Sequence, residues 1–161
     1  MYAFEPNREA YECMLENIKR NNLQNVIDPY NYAVTSKSNE VVTIPKTASP
    51  QNRIGYENGG RGMDGYELVK TISLNDIVTK ESLSRIDLLK MDCEGSEYDI
   101  LAAISKSTFS KISRIIIEYH EGKAGEIGEN LRKHGFKLEK QSPATNREGM
   151  LWFRKSRESR K

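Results

Sequence analysis

Apolar positions in this chain come in short runs that stop at carboxylates. The clearest run is Ile86-Asp87-Leu88-Leu89-Lys90-Met91, which gives way to Asp92-Cys93-Glu94-Gly95-Ser96-Glu97. Ile86, Leu88, Leu89 and Met91 put apolar groups on both faces of an extended chain, as expected of a central parallel strand covered by helices on each side. Gly95 permits a tight turn. Leu101 and Ile104, four and seven residues after Glu97, lay one helical stripe against a sheet. Ligands of open α/β sheets bind at the carboxyl ends of the strands, so Asp92 and Glu94 are expected at a binding rim.

The same strand, acid, helix unit opens the chain. Residues 1–4 read as a strand ended by Glu5, Pro6 cannot extend it, and Asn7 suits the cap of a helix carrying Tyr11, Met14, Leu15 and Ile18 on one face. An acid that ends the second strand of a nucleotide-binding sheet accepts hydrogen bonds from ribose hydroxyls, and Glu5 is the candidate for that role. The pattern predicts the next strand over residues 26–34, after a turn at Asp28-Pro29, and a short strand over 41–44 ended by Pro45. Residues 46–67 hold five glycines and almost no apolar periodicity, which predicts a long surface loop, either closing over a substrate or a plain insertion. Strand character returns over 68–72. Ser73-Leu74-Asn75-Asp76 reads as the cap of a short helix through Val78.

A second buried strand is predicted over 112–118, followed by Glu118-Tyr119-His120-Glu121. Its carboxyl end should lie beside that of the Asp92 strand, which brings His120 to the same rim. Histidine can accept a hydroxyl proton near neutral pH. Ala124, Ile127 and Leu131 mark a helix stopped near Gly135. Residues 136–139 and 150–154 then read as a terminal hairpin, with residues 143–149 in its loop.

Composition narrows the function classes. The chain has 161 residues, enough for one domain with a core, at 37% hydrophobic and 30% charged. Arg154, Lys155, Arg157, Arg160 and Lys161 against Glu158 give the tail +4, so the net charge of +2 leaves residues 1–153 at −2. The body therefore lacks a basic footprint for nucleic acid. The expected organisation is a single domain over 1–153 followed by a basic tail over 154–161. Two cysteines, Cys13 and Cys93, form neither a disulfide framework nor a metal-ligand spacing. With no apolar run near the roughly 20 residues of a membrane span and no signal peptide, a cytoplasmic protein is expected.

The run from Asp92 to Glu97 resembles the Asp-x-Glu-Gly-x-Glu signature that follows the fourth core strand of FkbM-type methyltransferases. Asn31-Tyr32-Ala33-Val34 is similar to that family's Asn-Ala-Ala-Leu segment, and Thr71-Ile72-Ser73-Leu74-Asn75-Asp76-Ile77-Val78 resembles the stretch before the signature strand. The resemblance covers nearly the whole chain. It implies a Rossmann-like α/β fold, a mostly parallel twisted sheet with a C-terminal antiparallel hairpin, and S-adenosylmethionine as cofactor. It also implies methyl transfer to a hydroxyl on a small molecule, sugar or lipid. Glu5 would hold the ribose, Asn31, Tyr32 and Ala33 would border the adenine, and Asp92 with Glu94 would face the cofactor amine or the acceptor. Asp92 and His120 are the catalytic candidates. No metal is assigned, because two carboxylates without further ligands define no set, although hard cations prefer oxygen.

The family's first core strand and its glycine-rich turn have no counterpart here, since the earliest glycine is Gly55. The sheet is accordingly expected to lack its first core strand. That leaves a fragment, a homo-oligomer or partner strand completing the sheet, or a non-enzymatic remnant. A nicotinamide-binding domain would use Glu5 equally well.

Overall fold

The computed structural model describes residues 1–49, 52–55, 64–120, 122, 124–142 and 148–156. The chain forms two compact units, Met1–Ser73 and Leu74–Lys161.

In the first unit, β1 (Tyr2–Phe4) leads into α1 (Arg8–Arg20). Asn7 is buried and holds this junction with its whole side chain. Its Oδ1 accepts from Ala10 N at 2.9 Å, capping the helix, while Nδ2 donates to Pro45 O at 2.7 Å and Lys46 O at 3.0 Å. Ion pairs Arg8–Glu12 and Glu16–Arg20, each one turn apart, lie on the solvent side of α1. Of the four expected core positions, Ile18 is buried, Tyr11 and Met14 are half-buried, and Leu15 is exposed.

The predicted strand over 26–34 is two strands, β2 (Asp28–Tyr30) and β3 (Ala33–Thr35). Asp28-Pro29 is extended, not a turn. In the parallel register Tyr2↔Asp28, Ala3↔Pro29, Phe4↔Tyr30, the bonds Asp28 N to Met1 O and Glu5 N to Tyr30 O bracket Pro29. Alternate residues of a parallel strand point their polar groups at one neighbour, so the N–H that proline lacks is not needed on the β1 side.

β4 (Val41–Pro45) pairs antiparallel with β5 (Tyr66–Ser73), whose far end pairs in parallel with β3, giving the order β3-β5-β4. Ala33, Val42, Ile44 and Val69 form a buried cluster with Ile54 against it. Of the predicted 46–67 loop, residues 52–55 are tied to β4 by the Thr43–Gly55 bridge, whereas 50–51 and 56–63 lie outside the described residues.

The second unit begins with α2 (Leu74–Lys80). Asn75 fastens it to the chain beyond, donating to Ala103 O at 2.9 Å and accepting from Ser105 N at 3.0 Å. β6 (Leu89–Met91) and α3 (Glu97–Ala103) form the expected strand, acidic turn and helix, and Ile100, Leu101 and Ile104 are buried. The strand is shorter and less covered than its apolar run implied. Leu88 is 50% exposed, Ile86 contributes an isolated bridge to Ile112, and only Met91 of β6 is buried. α4 (Lys106–Lys111), which the periodicity did not reveal, starts at a cap where Ser105 Oγ accepts from Thr108 N at 3.1 Å.

Then come β7 (Arg114–Tyr119), α5 (Ala124–Lys133), β8 (Phe136–Gln141) and β9 (Gly149–Lys155). β6 and β7 are parallel, β9 lies antiparallel between β7 and β8, and the order is β6-β7-β9-β8. The terminal hairpin is present as predicted. Ile115, Ile117, Leu151, Phe153, Ile127, Leu131, Phe109 and Phe136 are all among the fully buried side chains. β9 takes in Arg154 and Lys155, and Arg154 Nε pairs with Glu139 Oε1 at 2.6 Å; 157–161 lie outside the described residues.

The fold is mixed α/β. The expectation of a mostly parallel sheet is met in part, since the described strand pairs are three parallel and three antiparallel. Among the described residues no helix is long and apolar enough to cross a membrane. Replacing Asn7 with Ala removes a helix cap and leaves two carbonyls without their donor, so Asn7→Ala should lower stability by about 2–3 kcal/mol in chemical denaturation.

Candidate active site

The acidic turn after β6 is built around one buried side chain. Glu97, at the start of α3, is 0% exposed. Its Oε1 accepts from Cys93 N at 2.6 Å and its Oε2 from Gly95 N at 2.8 Å. The backbone between them is contorted: Glu94 has φ 50° and Gly95 φ 104°, both left-handed. Glycine takes this conformation freely, whereas a non-glycine residue held there costs roughly 1–3 kcal/mol. Hydrogen bonds to a charged acceptor contribute about 1.5–3 kcal/mol each, so the two that Glu97 accepts outweigh the strain. Burial, followed by the Glu97 charge, pushes the Cys93 thiol up to about 12, so it stays a neutral thiol at neutral pH.

β7 runs beside β6 with Met91 opposite Ile117, and its carboxyl end carries Glu118 and His120 to the same rim. His120 is 6% exposed, and its carbonyl accepts from the Tyr98 hydroxyl at 2.6 Å. Its ring lies between two acids of the turn, Nε2 3.5 Å from Glu94 Oε2 and Nδ1 3.6 Å from Glu97 Oε1. Asp92, Glu118 and His120 each present a donor atom, all within 4.8 Å of one another. Lys90 Nζ approaches Asp92 Oδ2 at 3.3 Å. Desolvation and the neighbouring Asp92 carboxylate, to which it is hydrogen-bonded, raise the Glu118 carboxyl above its ordinary range.

In the first unit, Glu5 is half-buried where β1 ends, and its Oε1 accepts from Asn7 N at 2.8 Å. Burial raises its carboxyl, the Asn7 hydrogen bond pulls it back, and the Glu67 charge adds to the rise. Asn31 Nδ2 donates to Glu5 O and Pro6 O, both at 2.9 Å, clamping the turn that Glu5 begins. Phe4 and Tyr30 stack beside it, with ring centroids 5.1 Å apart. Tyr32 is half-buried. Ala33 is 0% exposed, so its methyl group belongs to the core of its sheet.

Within the second unit the structure gathers Asp92, Glu94 and His120 at one rim, and within the first unit it brings Glu5 and Asn31 together at the end of β1. Sequence reasoning gave no role to Glu97 or Glu118. Glu97 is the last acid of the signature, four residues after Cys93 whose amide it binds, and Glu118 is the first acid after the apolar run of β7.

Comparison with known proteins settles the family. The model of the methyltransferase FkbM domain matches residues 1–138. The chain belongs to the FkbM methyltransferase family. The hexuronic acid methyltransferase AglP of Haloferax volcanii is 26% identical over 124 residues, which cover 76% of this chain and 48% of that protein. The 31-O-demethyl-FK506 methyltransferase FkbM of Streptomyces tacrolimicus is 34% identical over 67 residues, covering 40% of this chain and 26% of its own length. A 72-residue stretch, 40% of this chain, is 32% identical to 3% of the AMB antimetabolite synthetase AmbE of Pseudomonas aeruginosa. The chain spans about half or less of the curated relatives it matches. No solved structure matches it.

A carboxyl whose affinity for protons rises on folding stabilises the native state fully below its unfolded value, here near 4.5. That contribution is lost as pH climbs through the raised folded value. Glu118→Gln keeps a hydrogen-bond donor toward Asp92 and removes the charge. In chelator-treated protein, thermal melts should find the variant equal to wild type at low pH and about 1–3 °C more stable above neutrality, a small effect because the site is partly solvated.

Proposed function

We propose that this chain carries out methyl transfer from S-adenosylmethionine to a hydroxyl oxygen of a small molecule, sugar or lipid. One observation carries the reading: the acidic turn held by Glu97 and the buried His120 stand together at the carboxyl ends of adjacent parallel strands, where α/β sheets bind their ligands. The sulfonium of the donor supplies an already activated methyl group. The protein's work is therefore to align the acceptor oxygen and to remove its proton.

Each unit offers groups that are proposed to hold one part of such a ligand. Glu5 offers a half-buried carboxylate to ribose hydroxyls, with one oxygen and the turn behind it already fixed by Asn7 and Asn31. Tyr32 and the backbone of Asn31 and Ala33 are proposed to border the adenine, since the Ala33 side chain is enclosed. Asp92 and Glu94 are proposed to face the positively charged part of the donor or the acceptor. His120 is the proposed proton acceptor; its ring sits between the Glu94 and Glu97 carboxylates.

A second reading is a binding module of the same fold without activity. Titrating S-adenosylmethionine into the chain, with thermal shift and calorimetry as readouts, separates the two. The transferase reading expects a stabilising shift at up to millimolar ligand. It also expects transfer of labelled methyl to a hydroxylated acceptor from a panel of uronic acids, macrolides and lipids, with turnover falling about 100-fold or more in Asp92→Asn and in His120→Gln. Neither binding nor transfer would leave the module.

A further inference from the structure

Asp92, Glu118 and His120 have a property that proton transfer does not require. Two carboxylates in hydrogen-bonding contact and one imidazole direct donor atoms into a space 4.8 Å across. His120 is more than nine-tenths buried, and among the described residues its Nδ1 has no hydrogen-bond partner. Its approach to Glu97 at 3.6 Å is beyond hydrogen-bonding distance. A buried ring nitrogen without a hydrogen bond is a polar group left over from folding, and the same ring offers a ligand atom to two acids that repel one another. A cation between the ring and the two acids satisfies these three side chains at once.

We infer that Asp92, Glu118 and His120 form a binding site for one divalent transition-metal ion, of the Mn2+ or Zn2+ class. Two hard oxygens with one borderline nitrogen suit these ions; Ca2+ prefers six to eight oxygens, and Mg2+ keeps its waters. Donor–metal bonds of about 2.0–2.2 Å put the ligands of a tetrahedral ion about 3.3–3.6 Å apart. The widest-spaced donors therefore need to close by about 1.2–1.5 Å, within reach of side-chain rotation. Three protein ligands leave coordination positions open for water or an oxygen-bearing acceptor, as at catalytic metal sites. An occupied site takes the lone pair of a ring nitrogen, so in the loaded protein the cation, not the imidazole, lowers the acceptor's hold on its proton. Metal binding itself does not rest on the methyl-transfer reading and is measured without any donor or acceptor.

The test is titration of Mn2+ into the chelator-treated chain, followed by loss of the free-ion electron paramagnetic resonance signal. One ion per chain is expected, with affinity falling at least tenfold in Asp92→Asn, Glu118→Gln and His120→Gln. Glu118→Gln, predicted above to be no less stable than wild type without metal, keeps the result interpretable if His120→Gln fails to fold. Absence of binding to the wild-type chain, or binding undiminished in Glu118→Gln, overturns the site.

Discussion

The carboxylate of Glu97 is the contact on which the candidate site depends. It is fully enclosed, bonds two amides of the preceding turn through its two oxygens, and stands 3.6 Å from the His120 ring. A buried acid is costly unless its oxygens are satisfied, and here the turn itself provides the donors. The consequence runs both ways. The turn makes burial of Glu97 tolerable, and Glu97 holds Glu94 in a left-handed conformation that this residue would otherwise avoid. Asp92 and Glu94 are thereby fixed at the end of β6 while Glu118 and His120 arrive from β7.

The first unit solves a similar problem with amides in place of a carboxylate. The chain must leave β1, pass Pro6 and enter α1 within a few residues, which exposes carbonyls and helix amides that the strand and helix do not satisfy. Asn7 and Asn31 take up four carbonyls and one amide between them. Glu5 is held in that corner, its backbone and one carboxylate oxygen both engaged. In both units a polar side chain buried for structural reasons leaves an acid poised at a strand end, a suitable starting point for binding a polar ligand.

Much of this was legible because strand ends announce themselves. Apolar runs stopping at Glu5, Asp92 and Glu118 marked the rims, and the Asp92 to Glu97 signature carried the family. What escaped was set by tertiary contacts. Leu88 looked like a core residue by hydropathy alone, yet it is half exposed because regular pairing of β6 begins only at Leu89. Asp28-Pro29 looked like a turn because proline lacks an N–H, but its place in the parallel ladder makes that loss harmless. Glu97 received no role from the sequence; only the backbone path of residues 93–95 reveals that it faces inward. The Asp92 and Glu118 contact spans two strands and has no local signal at all.

Amide hydrogen exchange at Cys93 and Gly95 tests the role of Glu97 most directly. If its carboxylate holds the turn, both amides are protected in the wild-type chain, and in Glu97→Ala they exchange about 100-fold faster, matching the loss of a charge-assisted hydrogen bond of about 3 kcal/mol. The amides of Ile115 and Ile117 in β7 keep their protection. Equal protection of Cys93 and Gly95 in the two proteins would contradict the account, because the turn would then be standing without the side chain said to build it.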